Sequence, residues 1–204
     1  IVLGNTLTLN IVANCFRRLN KSVDGFVYDL LASAQVCLTK EDRMKGAFIL
    51  DIGGNSTKMG FFKEDQFQFS TLIPFGGVTI TNDIAYCFNL TYQDAELVKI
   101  QGVDLTYTLS EKQHVINVQT VREGTASIPV GMLQQVITAR LDEIMGLVNK
   151  KIHKEMAHYP VFLVGGSSQF PGLVSYLNTK YRSVFRLGFS ETLHFNNLSS
   201  TGLT

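Results

Sequence analysis

The stretch Asp51-Ile52-Gly53-Gly54-Asn55-Ser56-Thr57 combines the residue types that hold a phosphate: a carboxylate closing an apolar run, paired glycines, then hydroxyls. Glycines let backbone N–H groups close on an anion without a Cβ in the way, and Ser56 and Thr57 can add hydrogen bonds. Asp51 could hold Mg²⁺ through water, because that ion keeps much of its hydration shell. An ordinary hairpin turn with glycine at positive φ would use the same residues. Gly76-Gly77 falls between a strand pattern and a helix pattern, a place where helix N-terminal amides attract anions. A turn that merely breaks the strand after Pro74 is the plainer reading of that pair. A third pair opens Gly165-Gly166-Ser167-Ser168-Gln169, again after an apolar run and before a helix. If the strand ends carrying these pairs converge, they can surround one nucleotide. Glu96 and Lys99, on one helical face, could then hydrogen-bond a ribose or base, or form only a surface salt bridge.

Other chemistries lack their residues. His114, His153, His158 and His194 have no metal-ligand spacing with one another or with the cysteines, which argues against zinc. Ser33, Ser167 and Ser168 have no nucleophile-elbow context and no His partner, and no Walker-type glycine-lysine loop occurs. The formal net charge is +1 with the two signs interspersed, so no nucleic-acid groove is indicated. Cys15, Cys37 and Cys87 are widely spaced among apolar residues and are expected as reduced, buried thiols of a cytosolic protein. No stretch approaches the roughly 18 consecutive apolar residues of a membrane span, and no basic-then-apolar leader stands at the start, so the segment is expected to be soluble. It starts at Ile1 without a methionine and stops just after the turn-like Asn196-Asn197, so a fragment of a longer protein is expected.

The elements that must position these groups are readable from periodicity, and 45% apolar residues suffice for a sizeable core. Asn5 or Thr6 caps an amphipathic helix with Val12, Cys15, Phe16 and Leu19 on one face. A strand over 26–28 leads to a small-residue helix through Leu31, Ala34 and Leu38. Strands over 47–51, 58–62 and 66–73 make a β-meander. Thr79 caps a helix with Ile80, Ile84, Cys87 and Phe88 on its apolar side, and a shorter helix starts near Gln93. Between 102 and 129 the pattern is irregular, with 115–118 the best strand and Arg122-Glu123-Gly124 a turn. Leu133, Ile137, Leu141, Ile144, Val148 and Ile152 mark one long helix over 132–156 that must lie along a core. A buried strand over 161–164, a helix over 173–181 and a strand over 184–187 complete an α/β fold with a mixed sheet.

Thr81-Asn82-Asp83-Ile84-Ala85-Tyr86-Cys87-Phe88, followed by Asp94-Ala95-Glu96-Leu97-Val98-Lys99, resembles the FtsA family of bacterial cell-division proteins. That family belongs to the superfamily of actin, sugar kinases and heat-shock chaperones, in which ATP lies between two lobes. The 51–57 loop is similar to the superfamily's second phosphate loop, and 164–173 to its adenosine loop. Leu31-Ala32-Ser33 and 38–42 follow the FtsA pattern too, so the likeness covers nearly the whole chain. It implies an actin-like, ribonuclease-H-like ATPase fold with a smaller α+β insertion. Residues 1–45 would be the end of the first lobe, 46–90 and 160–196 the base of the second, 91–159 its upper subdomain, and 197–204 the start of a return to the first. The first phosphate loop, the subdomain used for filament stacking and the C-terminal amphipathic membrane helix would lie outside this chain.

The resemblance implies ATP with Mg²⁺ held by Asp51, Gly53, Gly54, Asn55, Ser56, Gly76, Gly77, Glu96, Lys99, Gly165, Gly166, Ser167 and Gln169, with Asp51 on the metal. It implies a binding and scaffold protein, at most a weak ATPase, that polymerises and tethers the FtsZ ring to the inner face of the cytoplasmic membrane at the division site. The upper subdomain would take the FtsZ C-terminal tail, with Arg140, Glu143 and Lys150 the first residues to test; plain solvated charges would look the same. Asn55 replaces the family's usual third glycine and Lys58 its following acid, and each change weakens the case for hydrolysis. Lys58 is expected to pair with phosphate or, more simply, to point to solvent. Asp29 stands loosely where chaperone relatives carry an acid near the attacking water, and no catalytic role is assigned to it. Without the first phosphate loop, the chain is expected to bind ATP weakly or not at all. The alternatives are a divergent actin-like adaptor, related to pilus assembly, that has lost nucleotide turnover, and an active ATPase or phosphotransferase of the same superfamily.

Overall fold

A computed structural model of the chain describes residues 4–101, 103–108, 113–120, 124–181 and 183–188. The predicted turn at Asn196-Asn197 and the 197–204 segment lie outside the described residues.

The framework is a five-stranded mixed sheet. Strands β1 (Ala47–Ile52), β2 (Thr57–Lys63) and β3 (Gln66–Ile73) form the expected antiparallel meander. Strands β6 (Val161–Val164) and β7 (Phe185–Leu187) extend the sheet in parallel on the other side of β1, giving the order β3-β2-β1-β6-β7. A central strand is covered on both faces, which is why β1 is apolar without alternation. On one face Ala47, Ile49 and Phe62 meet Leu30 and Ala34 of helix α2 (Asp29–Cys37). On the other, Phe48, Leu50, Ile52 and Met59 meet Ile80 and Ile84 of α4 (Gly77–Phe88). The same core runs on into α6 (Val130–Lys151), which buries Leu133, Ile137, Leu141, Ile144 and Val148 at helical spacing.

The remaining elements are α1 (Thr6–Arg18), α3 (Lys40–Lys45), α5 (Tyr92–Gln101), α7 (Leu173–Lys180) and a hairpin of β4 (Val115–Thr120) with β5 (Gly124–Pro129). Asn5 caps α1 by accepting from the Leu7 and Thr8 amides at 2.9 and 3.2 Å. The helix buries no residue, and Leu7 and Leu19 are each 70% exposed. Thr39 and Asp42 cap α3 reciprocally.

Several expectations need correction. Residues 26–28 are not a strand: they join no sheet among the described residues, and Tyr28 instead packs edge-on against Phe67 of β3 with ring centroids 6.2 Å apart. Gly76, not Thr79, is the N-cap of α4; Thr79 is the third helical residue and accepts only a long 3.5 Å bond from the Gly76 amide. The long helix ends at Lys151, where Ile152 turns extended (φ −91, ψ 119), and 154–156 form a separate 3₁₀ turn. β5 carries no apolar run; Val118 and Ile128 alone bury its hairpin. Of the turn predicted beside it, Arg122 and Glu123 lie outside the described residues, and Gly124 already belongs to β5. The cysteines are free but not buried: Cys15 and Cys87 are exposed and Cys37 is half-buried; among the described residues none covers α1, and Cys87 lies on the open side of α4. Among the described residues, no helix is long and apolar enough to cross a membrane.

Candidate functional site

The three glycine pairs meet. The Gly53 amide donates to Ser56 O at 3.0 Å and closes the loop between β1 and β2. The Gly77 and Val78 amides then donate to Gly53 O and Gly54 O, each at 2.8 Å. These contacts latch the start of α4 onto the first loop, so its leading amides are not free to receive an anion, as the sequence had suggested. A Cβ on Gly76 would stand 2.4 Å from Gly53 O, which is why only glycine fits there. Gly165, at φ +90, packs so closely under the first strand end that a Cβ would stand 2.3 Å from Asp51 Oδ1. Thr57 is turned away from the loop, buried, with its hydroxyl donating to Phe75 O at 2.8 Å. Asn55 is exposed and Ser56 half-buried on the rim.

Helix α5 supplies a polar network beside this junction. Lys99 Nζ donates to Glu96 Oε2 at 2.7 Å, to Thr81 Oγ1 at 2.8 Å and to Gly77 O at 3.2 Å. Thr81 is fully buried and also donates to Glu96. Burial alone would raise the Glu96 carboxyl, but the Lys99 and Thr81 hydrogen bonds outweigh it and hold the group below its ordinary value of 4.5. The pair is therefore not a loose surface salt bridge: the Lys99 side chain is only 12% exposed.

Between these parts lies a cleft of about 350 Å³. Of the residues expected at a nucleotide, Gly54, Gly77, Glu96, Lys99, Gly166, Ser167 and Gln169 line it. Asp51, Gly53, Asn55, Ser56, Gly76 and Gly165 do not; they shape or flank its floor. Val78, Tyr92, Ile100, Phe170 and Pro171 complete the wall and were not foreseen. Tyr92 and Ile100 are four residues either side of Glu96 on α5, so helical spacing from Glu96 was the signal that could have found them.

At the outer end of the first loop three charges gather. Lys58 is the cross-strand partner of Asp51 in the β1–β2 ladder, and its ammonium forms an ion pair with Asp29, the first residue of α2. The expectation that Lys58 points to solvent is thus corrected; its side chain is 24% exposed. The Asp51 carboxyl is raised above its ordinary value, chiefly by burial, with Lys58 opposing and Asp29 adding to the shift. These residues do not fit a resident Mg²⁺ on Asp51, because the two carboxylates that could hold one already face an ammonium. Among the described residues, no group of three His, Cys, Asp or Glu could hold a metal.

A second hollow lies between α4 and α6. Arg140 makes a two-pronged pair with Asp83, Nε to Oδ2 at 2.6 Å and Nη2 to Oδ1 at 2.9 Å, and a second ion pair with Glu143. Arg140 and Glu143 line a groove with Asp83, Tyr86 and Cys87. Lys150 is exposed nearly three turns further along α6 and is not brought into that groove.

The sheet order, with helices on both faces and a cleft where its strand ends meet, defines an actin-like ATPase fold. MreB5 of Spiroplasma citri, solved with AMPPNP, superposes with a TM-score of 0.74 at 16% identity, covering 91% of this chain and 60% of that one. A PilM–PilN type IV pilus biogenesis complex matches at a TM-score of 0.53 and 21% identity, over 76% of this chain and 38% of that one. Within the class, the family model for cell division protein FtsA matches residues 48–201, and the chain belongs to the FtsA family. It is 29% identical to cell division protein FtsA of Pseudomonas aeruginosa over 87% of this chain and 44% of that protein. With the FtsA of Escherichia coli K12 it shares 27% identity, over 100% of this chain and 50% of that protein. The chain thus spans about half the length of the curated relatives it matches.

Proposed function

We propose that this chain binds the phosphates and adenosine of ATP in the cleft between the glycine loops and α5, as part of an FtsA-type cell-division scaffold. The observation that carries the reading is the convergence of three glycine strand ends on one cleft beside the Lys99–Glu96–Thr81 network. In this reading Gly54, Gly166 and Ser167 would meet phosphate and Glu96 the ribose, Lys99 holding Glu96 in position because its three donors are taken by Glu96, Thr81 and Gly77, and Ile100 and Phe170 would meet the apolar faces of the base. Mg²⁺ is left out of this reading because Lys58 faces both carboxylates. The earlier division of residues stands as part of the proposal: 46–90 and 160–196 as the base of a second lobe, with 91–159 above it.

Thermal unfolding with increasing ATP, ADP and GTP tests the site. Adenine nucleotides should raise Tm at millimolar concentration, approaching the effect of about 2.7 kcal/mol that a ligand produces at a hundredfold its Kd. Glu96→Ala and Lys99→Ala should each remove the rise. A folded chain whose Tm no nucleotide moves would favour the divergent-adaptor reading instead.

Polymerisation, attachment to the inner face of the membrane and tethering of FtsZ are proposals drawn from the family. The α4–α6 groove is the place proposed for the FtsZ C-terminal tail. Calorimetric titration with that peptide should saturate. Because Arg140 also clamps the helices, the control is the paired swap Asp83→Arg with Arg140→Asp, which keeps an ion pair while rearranging the groove's charges. Undiminished binding by the swapped chain would remove the groove from the proposal.

A further inference from the structure

The geometry points to Lys58 as a built-in replacement for the divalent cation at the phosphate end of the cleft, so that the chain takes up nucleoside triphosphate without a metal ion. This inference rests on the nucleotide reading above.

The placement begins in the β1–β2 ladder. Asp51 and Lys58 are directly opposed, so both side chains leave the same face of the sheet with Cβ atoms roughly 5 Å apart. That face also carries Ala47 and Ile49, and it is the one α2 covers. The start of α2 delivers Asp29 to the ammonium, where it forms an ion pair. Asp29 is itself fixed, since its Oδ1 accepts the Leu30 amide at 2.8 Å. Lys58 is thus a restrained ammonium between two carboxylates, not a loose surface charge.

Mg²⁺ bound with a nucleotide is held by one or two carboxylates, several waters and the phosphates themselves. Here the available carboxylates are Asp29 and Asp51, and a dication arriving between them would meet a positive charge already in place. An ammonium has three donors and no acceptor. With one donor on Asp29, it retains others for a phosphate oxygen. Gly165 packs against Asp51 Oδ1 and the next residue, Gly166, lines the cleft, so Asp51 stands at the edge of the cleft with Lys58 opposite it in the ladder.

The test uses the 204-residue chain and two readouts: calorimetric titration with ATP in Mg²⁺ and in EDTA, and electron paramagnetic resonance of added Mn²⁺. Wild-type chain should bind ATP equally in both buffers, within about twofold, and should retain no Mn²⁺ in the absence of nucleotide. Lys58→Asp should acquire a bound Mn²⁺ signal and bind ATP only with a divalent ion. Lys58→Met, which adds no repulsion, should lose about tenfold in ATP affinity in EDTA and recover part of it with Mg²⁺. ATP binding by wild type that is about tenfold tighter in Mg²⁺ than in EDTA overturns the inference and leaves the nucleotide site standing. No ATP binding in either buffer by a folded chain overturns both.

Discussion

Single side chains set the character of this site by what they touch. Glu96 is the clearest case, because Lys99 and Thr81 overcome the effect of burial and hold its carboxyl below 4.5. A depressed acid stabilises the fold in its ionised form. Its contribution is fully present above pH 4.5 and is lost as pH falls through the lower folded-state value. Urea unfolding between pH 7 and pH 3 should therefore show a loss of stability in wild type that is smaller in Glu96→Gln; identical pH profiles would show that the network does not stabilise the fold. Asp51 runs the other way, since a raised acid costs stability as pH rises through its range. Gly76 and Gly165 both meet a close approach from a distant part of the chain, and Gly165 also holds φ +90; the close approach was invisible when each pair was read alone.

At the scale of elements, the helices divide by what covers them. α6 buries an unbroken stripe against sheet and hairpin, whereas α1, though well capped, buries nothing. Propensity and caps alone leave a helix of 13 residues marginal. α4 is held at two points, by the glycine latch at its start and by the Asp83–Arg140 pair near its middle. That pair is two-pronged but partly exposed, with side-chain exposures of 27% and 21%. After allowing for screening, a double-mutant cycle with Asp83→Ala and Arg140→Ala should return a coupling of about 1 kcal/mol. The paired swap should recover most of it. Zero coupling would mean that the helices are held by their apolar contacts alone.

For the whole molecule, one core continues from the main sheet through α6 to the β4–β5 hairpin, with Leu50, Ile137, Val118 and Ile128 in a single cluster. Ile137→Ala should therefore destabilise sheet and hairpin together, by about 2–5 kcal/mol, with tyrosine fluorescence and far-ultraviolet circular dichroism reporting one transition. Separate transitions would show that residues 91–159 fold as an independent unit. The sequence alone determined the α/β class, the meander, the long helix, the glycine-bearing strand ends and the family, because periodicity, turn residues and loop motifs are local. Tertiary structure decided the rest. It spent the first amides of α4 on Gly53 and Gly54, drew Tyr92, Ile100 and Phe170 into the cleft wall, left α1 and two cysteines uncovered, and joined Lys58 to Asp29 across 29 positions of chain. Each of these depends on which distant group arrives to compete for a donor, a face or a charge, and no local pattern carries that information.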